Sequence, residues 1–266
     1  MNNINVEIFK DTLRQSAEKF PITPKENAVY YNDTNFPTVD INEGNTPITM
    51  VHGGTVSTGY ANADNMRVAI LNFADALDAG GLVWVGANTQ EENICRCSNL
   101  YQILGADESK HEYYSPNARD LNRTGRYTYT DNIIYARDIT VFKDDTTYEN
   151  IEPKQLDVIT CPAPSAFLLD YEALPLYVNR LARVVMSAID NKAECIVLGA
   201  WGCGAFNQKP ELIAKAFATV LNNYGGHFKK IIFAIRPTSR AEGTDMYKVF
   251  KEILTAHYTG EVEDEE

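Results

Sequence analysis

Apolar positions along the chain change their spacing several times, and each change predicts an element. Val6, Phe9, Leu13, Ala17 and Phe20 fall at three- and four-residue steps, drawing one stripe down an N-terminal helix. From Pro21 to about Gly59 clusters of Pro, Asn, Asp and Thr break the pattern around two short strand-like runs, Ala28–Tyr31 and Ile48–Val51. Arg67–Ala74 is nearly continuous apolar sequence, as expected of a strand buried on both faces, and it runs into the loop Asp78-Ala79-Gly80-Gly81. Ile94, Cys97, Leu100, Tyr101 and Leu104 return to helical spacing and predict a helix that begins near Thr89. Gly105–Asn122 is polar and reads as a long connection, whereas Tyr127–Phe142, rich in Tyr, Thr, Ile and Val, reads as extended.

From Asp157 the alternation is regular. Strand Val158–Cys161 precedes a helix with Val178, Leu181, Val185 and Ala188 on one face. Strand Cys195–Ala200 leads through a glycine loop to a helix carrying Leu212/Ile213, Ala216/Phe217 and Val220/Leu221, with Pro210 in its first turn, where a missing N–H costs little. Strand Lys230–Ile235, a Pro-Thr-Ser turn at 237–239, and a helix with Met246, Val249, Phe250, Ile253 and Leu254 complete the series. Strands alternating with helices predict an α/β fold, a mixed or parallel sheet with helices on both faces. No repeat or linker divides the chain, so one domain is expected over residues 1–260, its N-terminal helix an extension, with 261–266 as a frayed acidic tail.

Charge narrows the partners. With 36 Asp+Glu against 24 Lys+Arg the net charge of -12 repels nucleic-acid backbones and anionic membranes, so general nucleic-acid binding is not expected. No apolar run approaches the ~18 residues of a membrane helix. The N-terminus lacks the basic start and apolar block of a secretory signal, so cytoplasm and a monomer are the expectations. Cys95, Cys97, Cys161, Cys195 and Cys203 are odd in number and sit in apolar segments, which suits reduced thiols. The Cys95/Cys97 pair alone is a weak metal signal, and no metal is expected.

Two glycine loops each follow a buried strand and precede a helix: Asp78–Ala87 and Gly199–Phe206, the latter containing Gly202-Cys203-Gly204. Helix N-termini carry unsatisfied N–H groups and glycines let backbone approach oxygen atoms, so such loops cradle phosphates; tight turns are the plainer explanation. Neither loop has the spacing of a nucleoside-triphosphatase or dinucleotide fingerprint. Gln90-Glu91-Glu92 opens the helix after the first loop. Thr89-x-x-Glu92 matches a capping box; the alternative is a carboxyl acting as general acid on a glycosidic bond beside an anion-binding loop. Capping and catalysis are expected to need different Glu92 rotamers. Trp84 reads as a core anchor and His52 as unassigned.

These residues resemble the bacterial-type poly(ADP-ribose) glycohydrolases, a branch of the macrodomain superfamily, whose signature is Gly-Gly-Gly, six to eight residues, then Gln-Glu-Glu. Here Gly80-Gly81-Leu82 is followed by seven residues and Gln90-Glu91-Glu92, with Asn72-Phe73-Ala74 on the strand before, Cys95-Arg96 and Leu100-Tyr101 after, and the 199–206 loop near the C-terminal end. The resemblance covers roughly residues 5–255 and implies a macrodomain-like three-layer α/β/α fold with a mixed central sheet. It implies hydrolysis of ribose–ribose O-glycosidic bonds to release ADP-ribose, with no cofactor, and poly(ADP-ribose) or ADP-ribosylated protein as partner. Glu92 matches the catalytic acid and Glu91 the carboxylate that orients ribose hydroxyls. Asn72, Gly80, Gly81 and Gln90 match the substrate-binding strand, loop and helix start. Gly202, Cys203, Gly204, Ala205 and Phe206 match the second phosphate loop, Phe206 at the ribose end. Leu82 departs from the third glycine, so a non-catalytic ADP-ribose-binding module and a mono-ADP-ribosyl hydrolase are the alternatives.

Overall fold

A computed structural model of the chain describes residues 3–165, 168–237 and 245–265. Helices α1 (Ile4–Lys19) and α2 (Pro24–Asn27) lead into strands β1 (Ala28–Tyr31) and β2 (Ile48–Val51), then α3 (Thr55–Asn62) and β3 (Val68–Ala74). Next come α4 (Gln90–Cys97), α5 (Tyr101–Leu104) and α6 (Asp107–Ser109), which passes through a π-helical turn into α7 (Ser115–Thr124). Strands β4 (Ile133–Lys143) and β5 (Asn150–Pro162), helix α8 (Asp170–Asp190), strand β6 (Cys195–Leu198) and helix α9 (Pro210–Tyr224) follow. The chain closes with β7 (Lys230–Ala234), α10 (Met246–His257) and β8 (Val262–Asp264). The expected α/β class with a mixed sheet is what forms. Contacts group the chain into two compact units, residues 1–35 with 72–162 and residues 36–71 with 163–266.

In the first unit the strands run β1-β4-β5, followed by the last residues of β3. β1 pairs antiparallel with β4 (Ala28↔Ala136, Tyr31↔Ile133), and β4 with β5 (Ile134↔Thr160, Ala136↔Val158). The β4–β5 register shifts between Ala136 and Ile139, where Asp138 takes φ 55. Buried Asp157 mends the break, accepting from Asp138 N at 3.0 Å and from the Tyr135 hydroxyl at 2.7 Å. Helix α1 packs through Phe9, which is fully buried and edge-on to Trp84 and Tyr101 at 4.9 and 5.1 Å.

In the second unit the order is β3-β6-β7-β2-β8, with every pair parallel (Val68↔Cys195, Ile196↔Ile231, Ile48↔Ile231, Ile48↔Val262). β6 is buried throughout and β7 from Ile231 onward, which explains the apolar runs Cys195–Leu198 and Ile231–Ala234. Phe217 of α9 and Phe250 of α10 both meet Phe233 of β7, at 5.1 and 6.0 Å.

Several expectations are corrected. The predicted helix from Thr89 to Leu104 is broken: α4 ends at Cys97, and Ser98 is extended and bridges to Val141. The polar stretch Gly105–Asn122 is mostly helical, because Asp107 and Glu108 suit a first turn, Pro116 falls in the first turn of α7, and Gly125 closes it in the left-handed region. The Pro21–Gly59 region holds α2 and the start of α3 besides its two predicted strands. On α1 the buried stripe is Phe9, Thr12, Gln15 and Ser16 while Ala17 is exposed, since Thr12 is drawn in to donate to Arg96 O at 2.7 Å. Trp84 is not a core anchor: it is 49% exposed and its Nε1 donates to the Tyr101 hydroxyl at 2.7 Å.

The acidic end is not frayed along its described length. Backbone pairing is indifferent to side-chain charge, so Val262–Asp264 adds to β2, and Asp264 accepts from the Tyr247 hydroxyl (2.6 Å) and Lys251 Nζ (2.5 Å). Thr238 and Ser239 of the expected turn, and the last residue of the tail, lie outside the described residues. Among the described residues no helix is long and apolar enough to cross a membrane.

Candidate active site

The first glycine loop starts where β3 stops. Asp75 Oδ1 accepts from the N–H groups of Leu77 (2.7 Å) and Asp78 (3.0 Å), and Gly81 N donates to Asp78 O at 3.0 Å, which curls the chain back on itself. Gly80 and Gly81 then take φ 70 and 60, a region side chains disfavour. Contact enforces glycine as well. A Cβ on Gly80 would sit 3.0 Å from the Tyr101 ring and 3.2 Å from Cys95 Sγ; one on Gly81 would sit 2.6 Å from Glu92 Oε1 and 3.2 Å from Glu91 Oε2. Both carboxylates of the α4 start therefore face the bare α-carbon of Gly81.

Each carboxylate is gripped differently. Glu91, 2% exposed, accepts from Asn72 Nδ2 at 3.2 Å and from Asp75 N at 2.7 Å. Burial pushes its carboxyl well above the ordinary range, against the lowering effect of those donors, with Asp75 and Glu92 adding to the rise. Glu92, 4% exposed, accepts from Leu82 N at 3.0 Å through Oε1, and from Thr89 N (3.0 Å) and the Thr89 hydroxyl through Oε2. The capping interaction is thus present, and the same rotamer puts Oε1 against Gly81, so capping and reach into the loop do not require different rotamers.

Neighbouring residues hold this arrangement. Gln90 Oε1 accepts from Phe73 N at 2.8 Å, tying the helix start to β3. Asn72 Nδ2 also donates to Thr160 Oγ1 at 3.2 Å, while its fully buried Oδ1 has no hydrogen-bond partner among the described residues. Asn72, Gly80, Gly81, Gln90, Glu91 and Glu92 are accordingly brought together in one unit. Asp75, Thr160 and Arg96 belong to the same surroundings; the sequence marks Arg96 only as part of the Cys95-Arg96 resemblance, with no role, and does not mark Asp75 or Thr160. Only Arg96 carried a signal, lying four residues after Glu92 and so on the same helix face.

Leu82, the departure from the glycine motif, takes φ -94 and ψ 33 and is 56% exposed. That backbone suits any residue, so the third glycine is not required here for conformation.

The second loop lies in the other unit. Gly202 takes φ 74, and a Cβ there would meet Ala163 Cβ at 2.7 Å. Buried Gln208 braces it, with its N–H donating to Gly202 O (3.0 Å) and Nε2 to Pro164 O (2.6 Å). Cys203 is buried with its N–H on Ala200 O; Gly204 and Ala205 are exposed, and Phe206 is half-buried. His52 stacks on Tyr247 at 3.6 Å. All five cysteines are buried thiols outside any disulfide, and among the described residues no His, Cys, Asp and Glu group is arranged to hold a metal.

The pH response of Glu91 is testable through stability. Its folded-state value is raised, so between the ordinary carboxylate range and that raised value the folded protein binds more protons than the unfolded chain, and stability falls as pH rises. Glu91→Gln removes this penalty. In thermal melts from pH 4 to 8, Tm of the variant minus Tm of the parent is expected to grow with pH; a pH-independent difference would show that Glu91 does not bury its charge.

The family described as microbial-type PARG, catalytic domain, matches residues 11–144, PARG standing for poly(ADP-ribose) glycohydrolase. Among solved structures, the PARG of Thermomonospora curvata is 24% identical with a TM-score of 0.79, covering 94% of this chain and 99% of that one. The same enzyme bound to the inhibitor ADP-HPD gives 24% and 0.76, covering 94% and 98%. The PARG of Deinococcus radiodurans in complex with ADP-ribose gives 24% and 0.71, covering 96% and 93%. At this identity the likeness speaks for the fold. No curated protein matches the chain.

Proposed function

We propose catalytic roles from one premise: the chain belongs to the microbial-type PARG catalytic-domain family, and is a glycoside hydrolase acting on poly(ADP-ribose). Glu92 is the general acid that protonates the ribose oxygen leaving a ribose–ribose bond, and then draws a proton from the water that attacks the oxocarbenium-like carbon. Glu91 orients the ribose hydroxyls. Buried, and with a raised proton affinity, it can both donate to and accept from them. Gly80 and Gly81 leave room for the sugar, and Asn72 and Gln90 fix the strand and helix start that aim the pair.

One observation carries this reading: both carboxylates abut the α-carbon of Gly81, where any side chain would collide with them. A sugar laid over that glycine meets two carboxyl groups held in dry surroundings. A net charge of -12 opposes a phosphorylated substrate at long range, so its recognition rests on backbone N–H groups and a helix N-terminus that outweigh that field locally, rather than on lysines. Buried cysteines outside any disulfide support a reducing, cytoplasmic location.

The test is to incubate the purified protein with poly(ADP-ribose) and, separately, with a mono-ADP-ribosylated peptide, quantifying free ADP-ribose. Release from polymer is expected. Tight binding without turnover would establish the binding-module alternative, and release from the peptide alone the mono-ADP-ribosyl hydrolase.

Leu82→Gly separates catalysis from motif-matching. Because Leu82 is exposed with ordinary φ, its replacement is expected to change kcat/KM by less than about threefold, under ~1 kcal/mol of transition-state stabilisation. Backbone freedom should cost about 0.5–1 kcal/mol of stability. Steady-state kinetics and thermal melts check both. A large gain in kcat would mean that the leucine has been obstructing the sugar.

A further inference from the structure

Arg96 is fully buried, yet among the described residues its three bonds run to neutral groups rather than to a carboxylate. Nη1 donates to Ala87 O at 2.7 Å, Nη2 to Asn88 Oδ1 at 2.6 Å and Nε to the Tyr148 hydroxyl at 3.2 Å, with the guanidinium 5.3 Å from the Tyr148 ring centre. Tyr148 donates to the same Asn88 Oδ1 at 3.3 Å. Burying a guanidinium without a counter-ion costs stability that an apolar side chain would avoid.

The position of the clamped segment supplies a reason for keeping it. Arg96 follows Glu92 by one helical turn, and side chains on a helix lean toward its N-terminus, so both reach back to the incoming chain. Arg96 grips residues 87 and 88; the next residue, Thr89, holds Glu92 Oε2 through its N–H and hydroxyl. The other side of the loop is strapped too. Asn3 and Asn5 donate to the carbonyls of Val85 and Gly86 at 3.1 and 3.0 Å, and Thr12 donates to Arg96 O at 2.7 Å.

We propose that Arg96 is a positioning residue for Glu92: its guanidinium pins residues 87–89 so that Thr89 keeps the Glu92 carboxylate against Gly81. A planar fork can bind a carbonyl and an amide oxygen together in fixed geometry, which a lysine cannot. This rests on the reading of Glu92 as the acid, so it is tested by two readouts, one of which does not depend on turnover.

The experiment uses the full chain, comparing the unsubstituted protein, Arg96→Lys and Asn88→Ala. Asn88 is exposed, so its variant is expected to fold even where Arg96→Lys does not. The first readout is amide exchange at Thr89, expected to quicken severalfold in both variants while the amides of β4 stay protected. The second is kinetics on poly(ADP-ribose). Displacement of a catalytic group by an ångström costs about 100-fold, so kcat should fall about 10- to 100-fold in Arg96→Lys and less in Asn88→Ala, with KM and ADP-ribose affinity nearly unchanged.

Unchanged Thr89 exchange in a folded variant overturns the clamp. Faster exchange with unchanged kcat overturns its connection to catalysis, as does a loss borne by KM alone. If the unsubstituted protein releases no ADP-ribose, the functional reading fails while the exchange result still decides whether Arg96 positions Glu92.

Discussion

Replacing Glu92 by Gln is expected to lower kcat on poly(ADP-ribose) by about 1000-fold, in the middle of the range for loss of a general acid, while ADP-ribose still binds. The amide keeps the size of the carboxyl. Its oxygen can still accept from Thr89, so the helix start survives, but its NH2 then faces the Leu82 N–H, donor against donor. What the amide cannot do is what is proposed for the carboxyl, giving a proton to the leaving ribose oxygen and taking one from water. The role proposed for Glu92 is confined to the leaving oxygen and the attacking water, so calorimetry should find ADP-ribose affinity within a few-fold of the parent. A variant that turns over at the parental rate would move the chemistry to another residue.

Gly81→Ala is the second large effect. The alanine must hold φ 60, which disfavours side chains by about 1–2 kcal/mol. Its methyl would lie 2.6 Å from Glu92 Oε1 and 3.2 Å from Glu91 Oε2, so one or both carboxylates must move. Glu92 has little freedom to yield, being bonded at both oxygens. Melting should drop by several degrees, in line with ~2–4 °C per kcal/mol for a chain of this size. Turnover should fall more than stability does, by about 100-fold, because an ångström at the acid is costly. Kinetics on folded protein, with Leu82→Gly beside it as the neighbouring control, separates the two; parental activity in Gly81→Ala would mean that the carboxylates do not work across that glycine.

The sheet was legible wherever strands are buried on both faces. β3, β6 and β7 appear as nearly continuous apolar runs, and the helices after β6 and β7 as apolar stripes, because burial writes itself into composition. Elements whose reason is not apolar burial escaped. β8 is acidic and pairs through backbone alone, the helical stretch from Asp107 to Thr124 is set by caps and a tolerated proline, and Ser98 breaks a helical pattern to reach Val141. At the site, spacing located Glu91, Glu92 and Gly81 but could not say how they meet. That Glu92 caps its helix and faces the glycine in one rotamer is a property of the folded loop, as is the absence of strain at Leu82. Asp75 was hidden, and the role of Arg96 was, because a lone charged residue in a turn or a helix is ordinary until its burial is known.

The most direct test of Glu92 and Glu91 working across Gly81 is a crystal structure of the Glu92→Gln protein soaked with ADP-ribose. The terminal ribose is expected to lie over the Gly81 α-carbon, with a hydroxyl within hydrogen-bond distance of Glu91 and the anomeric oxygen facing the side chain at position 92. A ribose bound with neither carboxyl position within reach would contradict it.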